Sequence, residues 1–301
     1  MTDPIRPRRS VLYVPGSNAR ALEKAKSLAA DALILDLEDS VAPDAKDEAR
    51  ELVRKAVSAG GYGAKEVVIR ANAPGTEWGL ADIGMAATSG ANALLIPKVS
   101  TPADLEAVRQ LLARTGSAPA LALWAMIETP LAVLEAGRIA AAARHTSYPL
   151  EVLVLGTNDL AKETRAALLP GRQPMLAWLS ITVAAGRAHG LDTIDGVYNA
   201  FQDLDGFRTE CEQGRTLGMD GKTVIHPGQI GVANEIFSPT PQEIAAAEKI
   251  VAAFERPENA GKGAISIDGR MVERLHRDMA LQVLAIRTAI ERIGDSGSSN
   301  R

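Results

Sequence analysis

The sequence predicts an α/β chain folded as a (β/α)8 barrel, followed by a C-terminal helical arm. Three observations carry this. Short β-rich runs alternate with longer helical patterns eight times along the chain. The runs are apolar on both faces, as strands of a buried parallel sheet are. Charged residues gather at or just beyond their carboxyl ends, namely Glu38 and Asp39, Arg70, Glu128 and Asp159, where a barrel builds its site. An open doubly wound sheet is the alternative, but it normally has fewer strands.

The elements follow in order. Val11–Val14 reads as a strand and Asn18–Leu28 as a helix, with Asn18 as N-cap. Ala32–Leu37 precedes a helix from about Lys46 to Ser58. Glu66–Arg70 precedes Asp82–Thr88, and Ala93–Ile96 precedes a helix opening on Pro102, whose ring suits a first turn. Ala120–Ile127 leads to Leu131–Arg144. Val152–Leu155 leads through a long connection to a helix over Pro174–His189. Thr193–Val197 precedes Leu204–Leu217, and Thr223–Ile225 precedes a last barrel helix at Pro241–Phe254. The barrel is thus expected over residues 1–255. Residues 256–301 are expected to hold the turn-rich linker Arg256–Gly263, a short strand at Ala264–Asp268 and a helix over Gly269–Ile293. The tail Gly294–Arg301 is rich in Ser and Gly and is expected to be disordered.

Composition narrows the function classes. The chain has 301 residues, 46% hydrophobic and 23% charged, which is ordinary globular chemistry. A net charge of −4 gives no reason to expect nucleic acid. Cys211 is the only cysteine, so there is neither an internal disulfide nor a zinc cluster of cysteines. The basic start Met1–Arg9 is not followed by an apolar run of signal-peptide length. No run approaches the roughly 20 apolar residues of a membrane span. A cytoplasmic protein is expected.

Glu128 and Asp159 are hard oxygen donors on rigid strand ends. With Arg70 beside them they point to a Mg²⁺ site for an anionic, oxygenated substrate. The competing reading of Asp159 is a helix cap, since Asn158 and Asp159 are both cap-type residues. Arg20 and Lys24, one helical turn apart, are either a phosphate-binding pair or an ordinary solvated face. Glu38 and Asp39 either orient Arg70 and Lys98, or hold metal-bound water, or form a plain salt bridge. Lys46 and Arg50 read as surface. His226, before Pro227, reads as a structural hydrogen-bonding group rather than a base.

Six segments then occur in one order: Arg9-Ser-Val-Leu-Tyr-Val-Pro-Gly16, Leu35-Asp-Leu-Glu-Asp-Ser-Val41, Leu95-Ile-Pro-Lys-Val99, Met126-Ile-Glu-Thr-Pro130, Gly156-Thr-Asn-Asp-Leu160 and Gly221-Lys-Thr-Val-Ile-His-Pro227. This pattern resembles the citrate-lyase β-subunit and malyl-CoA-lyase family, CoA-ester lyases of the HpcH/HpaI aldolase superfamily, from about residue 8 to residue 280. The resemblance implies a Mg²⁺-dependent carbon–carbon lyase. It would cleave or form a 3-hydroxyacyl-CoA such as malyl-CoA or citramalyl-CoA, with acetyl-CoA and a 2-oxo acid as the other partners. Some relatives instead hydrolyse the malyl-CoA thioester, and that is the alternative activity; a non-catalytic subunit is a third reading.

The resemblance also implies roles for individual residues. Glu128 and Asp159 would hold the metal, with Glu128 also facing substrate. Arg70 would bind near the thioester carbonyl and stabilise an enolate, and Tyr13, Arg20 and Lys24 would hold the CoA. The family often has an Asp four residues after its metal Asp; Glu163 stands there and is kept out of the site. Malyl-CoA lyases carry an acid/base Asp on an arm from a neighbouring subunit, in trimers or hexamers. Here that stretch reads Gly269-Arg-Met-Val-Glu273. Glu273 keeps the carboxylate with about 1.5 Å more reach, which sets hydrolysis against C–C cleavage.

Overall fold

The computed structural model describes residues 5–115, 121–145 and 147–298. They divide into two compact units, one spanning Arg8–Ile236 and the other Phe237 onward with the residues before Arg8.

The first unit is a closed barrel of eight parallel strands in chain order. The strands are β1 (Ser10–Pro15), β2 (Ala32–Asp36), β3 (Glu66–Arg70), β4 (Ala93–Ile96), β5 (Ala122–Ile127), β6 (Leu150–Leu155), β7 (Asp192–Asp195) and β8 (Gly221–Val224). The helices between them are α1 (Ala19–Ala25), α2 (Lys46–Ala59), α3 (Gly79–Ser89), α4 (Pro102–Arg114), α5 (Pro130–Leu134), α6 (Ala136–Ala140), α7 (Thr157–Thr164), α8 (Leu176–His189), α9 (Leu204–Leu217) and α10 (Ile230–Ile236). This is a TIM barrel.

Local chemistry explains most of these starts. The side chain of Asn18 accepts from Ala21 N (3.0 Å), capping α1 as expected. Thr101 and Asp104 form a capping box on α4, with Pro102 at its first turn. Three elements differ from expectation. The helix predicted over Leu131–Arg144 is broken into α5, α6 and a 3₁₀ turn, because Glu135 leaves helical geometry between the first two. The connection after β6 contains α7. The eighth helix is α10, which packs on β8 and β1 before Pro241 is reached, its Asn234 accepting from the Ser10 hydroxyl of β1 (2.7 Å) and donating to Ala29 O (2.8 Å). The first residue of the predicted fifth strand, Ala120, lies outside the described residues.

Period-two alternation places Val11, Ala32, Ile34, Val68, Leu95, Trp124, Met126, Val152, Val154 and Ile194 together in the buried interior. At the amino-terminal end Arg8 plugs this core. It lies over the Trp124 ring (5.2 Å) and reaches Glu66 (2.7 Å), Glu151 (2.8 Å) and Asp192 (2.7 Å). The inward positions at the other end are polar, and the site forms there.

In the second unit α11 (Pro241–Glu255) packs along α12 (Arg274–Ser298), and Arg287 pairs with Glu248 at 2.6 Å. Pro241–Phe254, predicted as the last barrel helix, therefore lies in this unit. Between the two helices, β9 (Ala264–Ile267) and β10 (Arg270–Glu273) form an antiparallel hairpin. Its turn uses Asp268 (φ 51°) and Gly269 (φ 75°). The predicted helix start at Gly269 is thus a turn and a strand. Helix α12 runs through most of the tail expected to be disordered; residues 299–301 lie outside the described residues. No helix among the described residues is long and apolar enough to cross a membrane.

Candidate active site

The site is built from two adjoining clusters at the carboxyl ends of β1–β6. The first centres on Arg70, the last residue of β3, which is 6% exposed. It points inward beside Asp36, its register partner on β2. Its Nε and Nη2 donate to Asp36 Oδ1 and Oδ2 (2.6 and 2.7 Å), a bidentate pair. Asp36 also accepts from the amides of Glu38 (2.9 Å) and Ser40 (3.1 Å), fixing the loop after β2. The guanidinium lies 4.9 Å from the centroid of the Tyr13 ring.

Only Nη1 of Arg70 is left incompletely engaged. It lies 2.8 Å from Glu38 Oε2, yet no donor is aligned on that oxygen. Its other neighbours are Asp39 (3.5 Å) and Met126 Sδ (3.8 Å). Burial pulls against ionisation throughout this cluster. At Asp36 the Arg70 charge and hydrogen bonds outweigh burial and hold the carboxyl below its usual range. At Glu38 burial wins and pushes the carboxyl up to about 8, because Arg70 is already matched by Asp36 and because Asp39 and Glu128 add negative charge.

The second cluster joins Lys98, Glu128 and Asp159. Glu128 follows β5 and is 1% exposed. Its Oε1 accepts the backbone N–H of Lys98 at 2.7 Å. That contact depends on a left-handed conformation at Lys98 (φ 55°), a strained state for a residue with a side chain. The Lys98 ammonium sits 2.6 Å from Asp159 Oδ1 and 3.6 Å from Glu128 Oε1. Glu128 Oε2 is buried and has no hydrogen-bond partner. Burial raises the Glu128 carboxyl above its ordinary value against the pull of Lys98.

A divalent cation fits the donor set. Two carboxylates converge on one ammonium, so the site already holds a cation, and an orphaned carboxylate oxygen remains beside it. Among the described residues no group of three His, Cys, Asp or Glu forms a metal cage, so other ligands would be water or substrate oxygens. The capping readings fall away. Thr129 caps α5 by accepting from Ala132 N (3.0 Å), and α7 starts after Gly156 with no side-chain cap.

Other sequence readings resolve as follows. Arg20 and Lys24 are exposed on α1 and neither engages an acid among the described residues. Lys46, read as surface, is buried. Its ammonium donates to Leu37 O, Glu38 O and Asn72 Oδ1 at 2.8, 2.7 and 2.8 Å, which ties the Glu38 loop to the loop after β3. Arg50 bridges Asp47 and Asp82. His226 accepts from Gly228 N (3.1 Å) and stacks on Phe201, a structural cap. Glu163 is exposed on α7. Glu273 ends β10 in the second unit, where its amide donates to His276 Nδ1 (3.0 Å). Sequence reasoning misses Asp36 as the partner of Arg70. The available signal is an acid at the inward position of a strand otherwise apolar there.

The chain matches the model of the family described as HpcH/HpaI aldolase/citrate lyase over residues 9–227. It belongs to that family. A second model, a C–C bond lyase of the TIM-barrel fold, matches residues 175–289. Among relatives of this HpcH/HpaI member, a (3S)-malyl-CoA thioesterase of Cereibacter sphaeroides is 50% identical over 96% of this chain and 98% of its own length. The citrate lyase subunit beta of Escherichia coli is 36% identical over 93% of both chains. A solved structure of protein CitE from Mycobacterium tuberculosis, in complex with magnesium, acetoacetate and coenzyme A, has a TM-score of 0.74 at 26% identity. It covers 93% of this chain and 98% of that one.

Proposed function

We propose that this chain is a Mg²⁺-dependent enzyme acting on the CoA thioester of a small 3-hydroxy acid such as malyl-CoA, and that hydrolysis to malate and free CoA is its reaction. The observation that carries the substrate class is the Arg70 guanidinium, held on two sides by Asp36 with its third edge turned to Glu38, beside the Lys98–Glu128–Asp159 cluster. The full-length relatives at 50% identity and named for this hydrolysis move it ahead of C–C cleavage. Cleavage of malyl-CoA or citramalyl-CoA to acetyl-CoA and a 2-oxo acid stays as the second reading, favoured by the family descriptions.

Glu128 and Asp159 would hold the Mg²⁺, which when bound supplies Lewis-acid polarisation of substrate oxygens. Asp36 locks two sides of the Arg70 guanidinium, so the Nη1 edge beside Glu38 would be the one to meet the oxygen of the thioester carbonyl. Negative charge develops on that oxygen in both readings, as an oxyanion on hydrolysis or as an enolate on C–C cleavage. Tyr13 supports the guanidinium from its ring face. Arg20 and Lys24, free of acids, would take CoA phosphates. Glu273, beyond the hairpin turn, would activate water or transfer a proton. We further read the protein as a cytoplasmic homo-oligomer, a trimer or hexamer.

The test is incubation with (3S)-malyl-CoA and citramalyl-CoA with Mg²⁺, followed by mass spectrometry. Malate with free CoA supports hydrolysis. Acetyl-CoA with glyoxylate or pyruvate moves the assignment to the second reading. No turnover, or full turnover in excess chelator or in Glu128→Ala and Asp159→Ala, removes the proposal.

A further inference from the structure

Lys98 is built into the site by an unusual arrangement. A lysine is held at φ 55°, and one residue serves both acids. Its backbone N–H holds Glu128 Oε1, while its ammonium lies against Asp159 and within 3.6 Å of the same Glu128 oxygen. The Lys98 side chain is about one-third exposed, so it has an aqueous side towards which it can move. Arg70, in the adjoining cluster, is already matched by Asp36, and its pull on Glu128 is weaker than that of Lys98.

We propose that Lys98 is an internal counter-ion that competes with the divalent cation for Glu128 and Asp159 and thereby makes the metal-loaded site selective for an anionic acyl group. The argument is one of charge. With both acids ionised, Lys98, Glu128 and Asp159 together carry one net negative charge. A divalent cation turns that into one net positive charge, which attracts a ligand with a free carboxylate and offers nothing to a neutral hydroxyacyl group. Without the lysine charge the loaded cluster would be neutral. Metal therefore binds more weakly than it would to the two acids alone, and the anionic ligand binds only after the metal. The inference rests on the metal-site reading given above, but its metal arm needs no CoA ester.

The test uses the full chain at fixed pH and low salt. Lys98→Met keeps the unbranched stem as far as Cε and the backbone N–H but removes the charge; Lys98→Arg keeps the charge. Mn²⁺ alone is titrated by calorimetry and by electron paramagnetic resonance, and (S)-malate is then titrated into the Mn²⁺-loaded forms. Lys98→Met is expected to bind Mn²⁺ roughly tenfold or more tightly than wild type, and its loaded form to bind malate roughly tenfold more weakly. Lys98→Arg is expected to stay close to wild type in both. A merely structural lysine would weaken both ligands together, so opposite signs are the signature. Unchanged or weaker Mn²⁺ binding in Lys98→Met, or Lys98→Arg behaving like it, overturns the competition. A malate affinity that does not fall in Lys98→Met overturns the anion selectivity. If no CoA ester is turned over while the Mn²⁺ result holds, the proposed reaction falls and the counter-ion role stands.

Discussion

Gly156 lies between β6 and α7, and its hydrogen faces Glu128. A Cβ built there would lie 2.4 Å from Glu128 Cβ and 2.5 Å from Glu128 Oε2. Ordinary contacts of a Cβ begin near 3.4 Å, so Gly156→Ala demands a shift of about 1 Å. Glu128 Cβ is fixed by the end of a buried strand, and the carboxylate is held at its other oxygen by Lys98 N. The displacement is therefore forced onto the carboxylate and the start of α7, which carries Asp159. Gly156 itself has φ −100°, open to any residue, so backbone strain does not confuse the result. A misplacement of about 1 Å at reacting groups can cost roughly 100-fold in rate, and overpacking costs about 1–3 kcal/mol of stability. Gly156→Ala is expected to lower kcat/KM about 100-fold and to weaken Mn²⁺ binding, while circular dichroism still reports a folded barrel. The assays are steady-state kinetics on malyl-CoA and a Mn²⁺ titration. Wild-type kinetics together with wild-type Mn²⁺ affinity would refute the placement of the Glu128 carboxylate in the metal site.

Three further outcomes follow from the same geometry. Arg70→Lys replaces the planar fork that Asp36 holds at two points with a point charge, so kcat should fall far more than KM rises; a change in KM alone would make Arg70 a binding residue only. Glu38 has its carboxyl raised from 4.5 to about 8 by burial, so its protonated form is the one the fold favours. Its contribution is present below about 4.5 and is lost as pH rises through about 8, with an upper bound of about 5 kcal/mol. The urea stability of wild type relative to Glu38→Gln should therefore decline between about pH 5 and about pH 8.5, and a constant or rising difference would contradict the burial argument. Glu273→Gln should keep fold and Mn²⁺ binding but cut turnover, and mixing it with Glu128→Ala subunits should restore some activity if the acid acts across subunits; an unimpaired Glu273→Gln enzyme removes Glu273 from the chemistry.

What is legible in the sequence tracks how one-dimensional the underlying physics is. Strands buried on both faces print continuous apolar runs, so β3 and β4 can be located to the residue, and the charged residues that end or follow such runs are found with them. Where the determining contact is between elements, the pattern is silent or misleading. Asp36 looks like a polar lapse in a core strand until β3 brings Arg70 alongside it. Lys46 sits on an amphipathic helix and resembles any solvated lysine; only the fold places three oxygens around its ammonium. Lys98 depends on a backbone conformation that no side-chain periodicity encodes.

The arm shows a different failure, a conflict between two local signals. Met271, Leu275 and Met279 keep helical spacing and extend the helix backwards, while Asp268-Gly269 is a strong hairpin signal for the same stretch. The turn wins, because a left-handed pair ends any helix and the strand before it has a partner to meet. Glu273 consequently ends a strand rather than projecting from a helical face. The reach of its carboxylate is then set by a hairpin, whose register fixes Glu273 opposite Ala264. Moving that carboxylate by one methylene, through Glu273→Asp, would test whether the hairpin is registered for a glutamate. If it is, the shorter acid should lose activity despite restoring the residue found in malyl-CoA lyases, whereas a gain in C–C cleavage on that substitution would instead identify residue 273 as the determinant that separates hydrolysis from cleavage.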